Sequence, residues 1–171
     1  NYLLKEFLPK IKDEITFAKQ EMEIDYSPDK LNFKASGEII LQDKPDLIDI
    51  KIEKKKDLYE IISQYTIKDN PLIIDFLNYE KKKSLDTLIS LKGKFSPNKK
   101  TIIKSLSLSE GKNQLEIKAL ILNKNSKIRS LEKIVMDYKD RDNQINKITI
   151  KKKNKDYTIN GLFFNANNLI K

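Results

Sequence analysis

Aliphatic and polar side chains alternate with a period of two, in runs repeated about every ten residues and broken by short polar turns. No other feature of this sequence restricts its fold as much. Leu31, Phe33 and Ala35 alternate with Asn32, Lys34 and Ser36, and Ile48, Ile50 and Ile52 alternate with Asp49, Lys51 and Glu53. Further on, Ile89, Leu91, Gly93 and Phe95 share a face, Ser96-Pro97-Asn98 makes a turn, and Leu106 and Leu108 resume against Ser105, Ser107 and Ser109. After a turn at Glu110-Gly111-Lys112-Asn113, the pattern places Leu115, Ile117, Ala119 and Ile121 on one side and Gln114, Glu116 and Lys118 on the other. A turn over 123–127 leads into 128–138, whose spacing fits helix or strand and is read as strand from its neighbours. Ile148 and Ile150 then pair across the turn at 151–156 with Tyr157 and Ile159. Such hairpins imply a mainly β fold: an antiparallel meander, curved or groove-like, with one apolar face.

Two or three short helices are expected beside the strands. Over Tyr2 to Ala18, Leu4, Leu8, Ile11 and Ile15 recur at spacings of three and four, with Leu3 and Phe7 widening the stripe. That spacing predicts an N-terminal amphipathic helix bent near Pro9, capping an end of the sheet or lying on a membrane surface. Leu58, Ile61, Ile62 and Tyr65 suggest a second helix after the charged run at 54–57. Asn70-Pro71 followed by Leu72, Ile73, Phe76 and Leu77 reads as a third helix or as a short buried strand. Residues 1–80 thus form a helix-containing part with strands, and 81–171 a β-meander unit. A start at Asn1 and an end at Lys171 suggest a segment of a larger protein.

The net charge of +9 invites a nucleic-acid reading, because clustered cations displace counterions from phosphate. Yet the basic residues are nearly all Lys, with only Arg129 and Arg141 able to make bidentate contacts to phosphate or guanine. Accompanying excesses of Asn and Ile fit codon bias in an A/T-rich genome, so nucleic acid is not the favoured partner. The lysine runs at 54–56, 81–83 and 151–153 read as solvated turns or helix starts, with contact to anionic headgroups or nucleic acid as the other reading.

Catalysis has few candidates. The chain has no His and no Cys, which removes the usual zinc ligands, the Ser-His-Asp arrangement, the thiol nucleophile and the commonest general base. Its four glycines lie too far apart to cradle a phosphate. We therefore expect a non-enzymatic chain with no catalytic residues, metal or cofactor. The residues of interest are instead the apolar ones. Leu106, Leu108, Leu115, Ile117, Ala119, Ile121, Ile148, Ile150 and Ile159 line either an ordinary core or a groove for lipid. An apolar sheet face must be covered by helices, by a second sheet or by a ligand.

The segments SLDTLISLKGKFS and IIKSLSLSEGKNQLEIKALI resemble the repeating unit of the AsmA-like proteins. The closing YTINGLFFNANNLIK is similar to the end of a domain in alphaproteobacterial relatives of that family, through Tyr157, Ile159, Gly161, Phe164, Asn165, Ala166, Leu169 and Ile170. Asn165 stands where an acidic residue is commoner, and the likeness covers the last half of the chain. The resemblance implies a β-groove protein of the Gram-negative cell envelope, anchored in the inner membrane and lying in the periplasm. Its partners would be phospholipid acyl chains, and its role lipid transport or envelope homeostasis. A basic module for nucleic acid or another polyanion is the alternative. On either reading Gly161 is expected to permit a bend or bulge in the last strand.

Overall fold

The computed structural model describes residues 5–97 and 99–166. Strands dominate it, in the order β1 (Thr16–Ser27), β2 (Lys30–Ile40), β3 (Asp46–Lys55), β4 (Leu58–Ile67), β5 (Ile73–Ile74), β6 (Tyr79–Glu80), β7 (Thr87–Phe95) and β8 (Thr101–Glu110). They continue as β9 (Asn113–Leu122), β10 (Ile128–Ser130), β11 (Lys133–Lys139), β12 (Ile145–Lys153) and β13 (Asp156–Phe163). Eleven of them make one antiparallel sheet in the order β1-β2-β3-β4-β7-β8-β9-β11-β12-β13, with β10 pairing β9 beyond the end of β11. The expected meander is therefore present. The sheet runs without a break across residue 80, because β4 pairs β7 along its whole length. It does not close, and β1 and β13 form its two edges.

Among the described residues none of the three expected helices is found. Within the first, residues 1–4 lie outside the described residues, 6–15 are turns and irregular backbone, and Thr16 already begins β1. Leu8 and Ile11 are buried all the same, as part of an extended strap rather than a helix stripe. The second is strand β4. Its helix-like spacing arises because aliphatics occupy both faces: Ile61 and Tyr65 pair Ile52 and Ile48 on the apolar side, while Leu58 and Ile62 lie on the polar side. In place of the third are the two-residue strands β5 and β6, joined by a single 3-10 turn over Asp75–Leu77 that ends on Asn78 in the left-handed conformation.

Because the meander reverses at every strand, its connections alternate between two ends of the sheet. One end is covered. The strap before β1 and the β5–β6 excursion between β4 and β7 fold over it, and Leu8, Ile11, Leu72, Ile74, Leu77 and Tyr79 meet Ile67, Leu108, Met136 and Tyr138 of the sheet. Backbone bonds join the cover to itself and to the sheet: Ile73 N donates to Phe7 O (2.9 Å) and Lys12 N to Leu41 O (2.8 Å). The Tyr138 hydroxyl donates to Leu77 O at 2.8 Å, and the Tyr79 and Tyr138 rings meet edge to face at 6.0 Å. Among the described residues the other end carries hairpin turns and the short strand β10. Left-handed residues at Lys56 and Asn154 give two of these turns the backbone twist that tight hairpins need.

Bulges bend the ladder. The one expected at Gly161 is present: Gly161 pairs Ile148 while Phe163 pairs Lys147, leaving Leu162 as the extra residue. A Cβ on Gly161 would lie 2.4 Å from the Lys147 carbonyl oxygen, so only glycine lets β12 approach this closely.

Candidate functional site

The candidate site is the apolar face of the sheet. Directly opposed residues in neighbouring strands share a face, so the register shows which side chains line up. Ile159, Ile150, Ile134, Ile117, Leu106 and Leu91 form one cross-strand row, each opposite the next. The row continues through Ser63, Ile50, Ala35 and Met22 to the far edge. It crosses all ten strands of the main path, roughly 45 Å at the usual inter-strand spacing. Only Ser63 interrupts its apolar character.

A parallel row two residues nearer the covered end contains Ile148, Met136, Leu115, Leu108, Ile89 and Tyr65. This one is packed beneath the strap and the excursion; Leu108 and Met136 are buried and the others partly so. A third row, two residues nearer the open end, holds Ile103, Ile61, Ile52, Phe33 and Ile24, and these stay half-buried or exposed. The apolar face is thus core at one end and uncovered surface at the other.

The nine residues singled out from sequence divide along that gradient. Leu108, Leu115 and Ile148 belong to the core cluster or pack against it. Leu106, Ile117 and Ile150 are half-buried outside the core cluster, and Ile159 is 63% exposed on the edge strand. Two are corrected. Ala119 takes a positive φ of 50° and drops out of the β8–β9 ladder opposite a bulge at Lys104. Ile121 beyond it pairs Ile102, which pairs Lys94 and then Glu60, so it lies on the polar face. An irregularity of backbone conformation has no signature in side-chain alternation. Met22, Ile24 and Ile134 were missed although alternation could have found them; Met22, Ile24 and Tyr26 repeat with period two in β1. Of the closing stretch, Leu169 and Ile170 lie outside the described residues, as does Asn98 of the Ser96-Pro97-Asn98 turn.

Polar groups buried at the covered end fasten the cover down. Asp46 is fully buried; one carboxylate oxygen accepts from Lys68 N (2.9 Å), the other from the Tyr65 hydroxyl (2.7 Å) and Asn70 Nδ2 (2.9 Å). Glu110, 1% exposed, accepts from the Tyr79 hydroxyl and from Lys82 N. Lys81 is buried as well, its ammonium capping the Lys68 carbonyl, so it is no free cation. Burial, and then the carboxylate each one meets, pushes the Tyr65 and Tyr79 hydroxyls far above the ordinary tyrosine value. Burial with nearby Asp140 pushes Tyr138 up to about 12. Tyrosines held this firmly protonated act as donors.

The polar face is a mosaic of opposite charges. Lys34 pairs Glu23 (2.7 Å), Lys51 pairs Glu53 (2.6 Å), Lys147 pairs Asp137 (2.7 Å), and Lys94 pairs Glu60. Its lysines are therefore largely balanced by carboxylates. No cluster of His, Cys, Asp or Glu among the described residues could hold a metal ion, and no helix among them is long and apolar enough to cross a membrane. Fold and site together define an open, single-layer antiparallel sheet with one continuous apolar face. Comparison with models of known families, with curated proteins and with solved structures finds no match.

Proposed function

We propose that the uncovered part of the apolar face holds phospholipid acyl chains, as one segment of a lipid-conducting β-groove in the envelope of a Gram-negative bacterium. The parent protein would be anchored in the inner membrane and extend into the periplasm. The observation that carries this reading is the cross-strand row from Ile159 to Met22, apolar at nine of its ten positions and half-buried or exposed at all of them but Ala35. Monomeric soluble proteins rarely leave so long an apolar strip in water, and acyl chains need only a dry, continuous surface. The likeness of the last half of the sequence to AsmA-like proteins supports the same reading. Bulges at Gly161 and Lys104 favour added twist and curvature, as a groove requires.

The test is native mass spectrometry of the purified chain, with lipid extraction of the same sample. Wild type should carry phospholipid. Ile117→Asp combined with Ile150→Asp should remove it while circular dichroism still reports the sheet. A lipid-free wild type, or a folded double variant that keeps its lipid, would overturn the proposal.

A further inference from the structure

Most of the net charge of this protein lies at one end. The open rim, formed by the connections and the strand residues that border them, comprises residues 27–30, 54–58, 96–100, 123–132 and 152–156, and it carries twelve Lys or Arg against four carboxylates. That excess of eight accounts for nearly all of the chain's formal charge of +9, so the remainder is close to balanced. A compositional bias towards lysine would scatter the excess; here it is segregated. Lys54, Lys55 and Lys56 come from the β3–β4 turn, Lys99 and Lys100 from the β7–β8 turn. Lys124, Lys127 and Arg129 follow β9, and Lys152, Lys153 and Lys155 surround the last turn. Among the described residues only Lys30 of these twelve is in an ion pair, with Asp25.

Large apolar side chains share the rim. Tyr26 is 72% and Ile128 68% exposed, and Leu58, Phe95 and Tyr157 are exposed beside them. A recess of about 330 Å³ opens among Ser96, Lys99, Lys100 and Arg129, with Leu58 and Ile102 supplying its apolar part. Cations with aromatic and aliphatic side chains at one level are what an anionic bilayer surface selects: phosphates neutralise the lysines while rings settle among the headgroups. Nucleic acid fits less well, since a single Arg stands on the rim and the aliphatic tips would have nothing to bury against.

We infer that the open rim docks on the surface of an anionic lipid bilayer, with the recess beside Arg129 receiving a lipid phosphate. The inference stands apart from the acyl-chain reading, because it rests on the rim and not on the apolar row. Cosedimentation of the chain with vesicles tests it, using phosphatidylcholine alone or with a third phosphatidylglycerol. Binding should require the anionic lipid and weaken between 0.1 and 0.5 M salt, concentrations chosen about the Debye length of 10 Å at 0.1 M. At about five-fold per cation, Lys99→Gln, Lys100→Gln and Arg129→Gln together should lower partitioning roughly a hundred-fold. Removing the same charge at the covered end, with Lys82→Gln, Lys83→Gln and Lys112→Gln, should change it far less. Ile117→Asp with Ile150→Asp should leave vesicle binding intact, which separates this site from the acyl-chain surface. Equal losses in the two charge variants, no preference for anionic vesicles, or displacement of bound vesicles by RNA at equal phosphate would overturn the inference.

Discussion

Tyr79 shows how single side chains hold the cover on this sheet. Its ring packs edge to face on Tyr138 and its hydroxyl donates to buried Glu110, so it serves packing and polar satisfaction together. Tyr65 does the same work for Asp46. Each of these hydroxyls, and that of Tyr138, titrates higher in the folded chain than its ordinary value of 10.0. The stability they contribute is complete below pH 10 and is lost as pH climbs through the raised folded values. The urea midpoint should therefore fall between pH 9.5 and 11.5. In Tyr79→Phe, weaker at neutral pH, the fall should be shallower by up to about 1.4 kcal/mol per pH unit. Parallel pH profiles for the two proteins would remove Tyr79 from the account. Little at this scale was legible in the sequence. Asp46 and Glu110 look like ordinary turn carboxylates until the fold buries them, since their partners lie 19 to 31 residues away.

Strands were read more reliably than anything else, because alternation is a local property and each hairpin supplies its own partner. The failures have definite causes. β4 looked helical because Leu58 and Ile62 put aliphatics on the polar face, where they stay exposed. The strap looked helical because Leu8 and Ile11, three apart, are both buried, yet irregular backbone can bury two side chains at that spacing too. Ala119 broke a face assignment through its backbone alone. Gly161 was legible, since a glycine inside an alternating strand marks a bulge or a close approach. Gly161→Ala should force β12 and β13 apart at the bulge, costing about 1–3 kcal/mol as overpacking does. Faster amide exchange in Asn160 to Phe163, with β7 unchanged, would report the local opening. Unchanged exchange in β13 would mean that the Lys147 carbonyl shifts without loss.

Over the whole molecule, two gradients run along the strands: the apolar face passes from buried to bare, and charge from balanced to strongly positive. Neither was visible in the sequence. The alternating pattern shows that each strand has an apolar side, but which ends coincide depends on register and on where the β5–β6 excursion folds back. Amide exchange should expose the first gradient. Backbone bonds near Ile67, Thr87 and Leu108 should be protected at least about ten-fold more than those near Tyr59 and Phe95, because buried contacts raise the free energy of local opening. Uniform protection along β4 and β7 would mean that the sheet opens as one unit, whatever covers it.

The order of the strands carries a consequence for how such a chain can change. Except at the excursion and at β10, which pairs β9 alone, each strand lies beside its neighbours in sequence. A hairpin could therefore be duplicated or lost without rethreading any other part, provided its alternation is kept. The sheet then lengthens or shortens across its strands by about 10 Å per hairpin, like a ruler cut to the distance it must span. A lineage needing more reach has only to copy two strands and a turn.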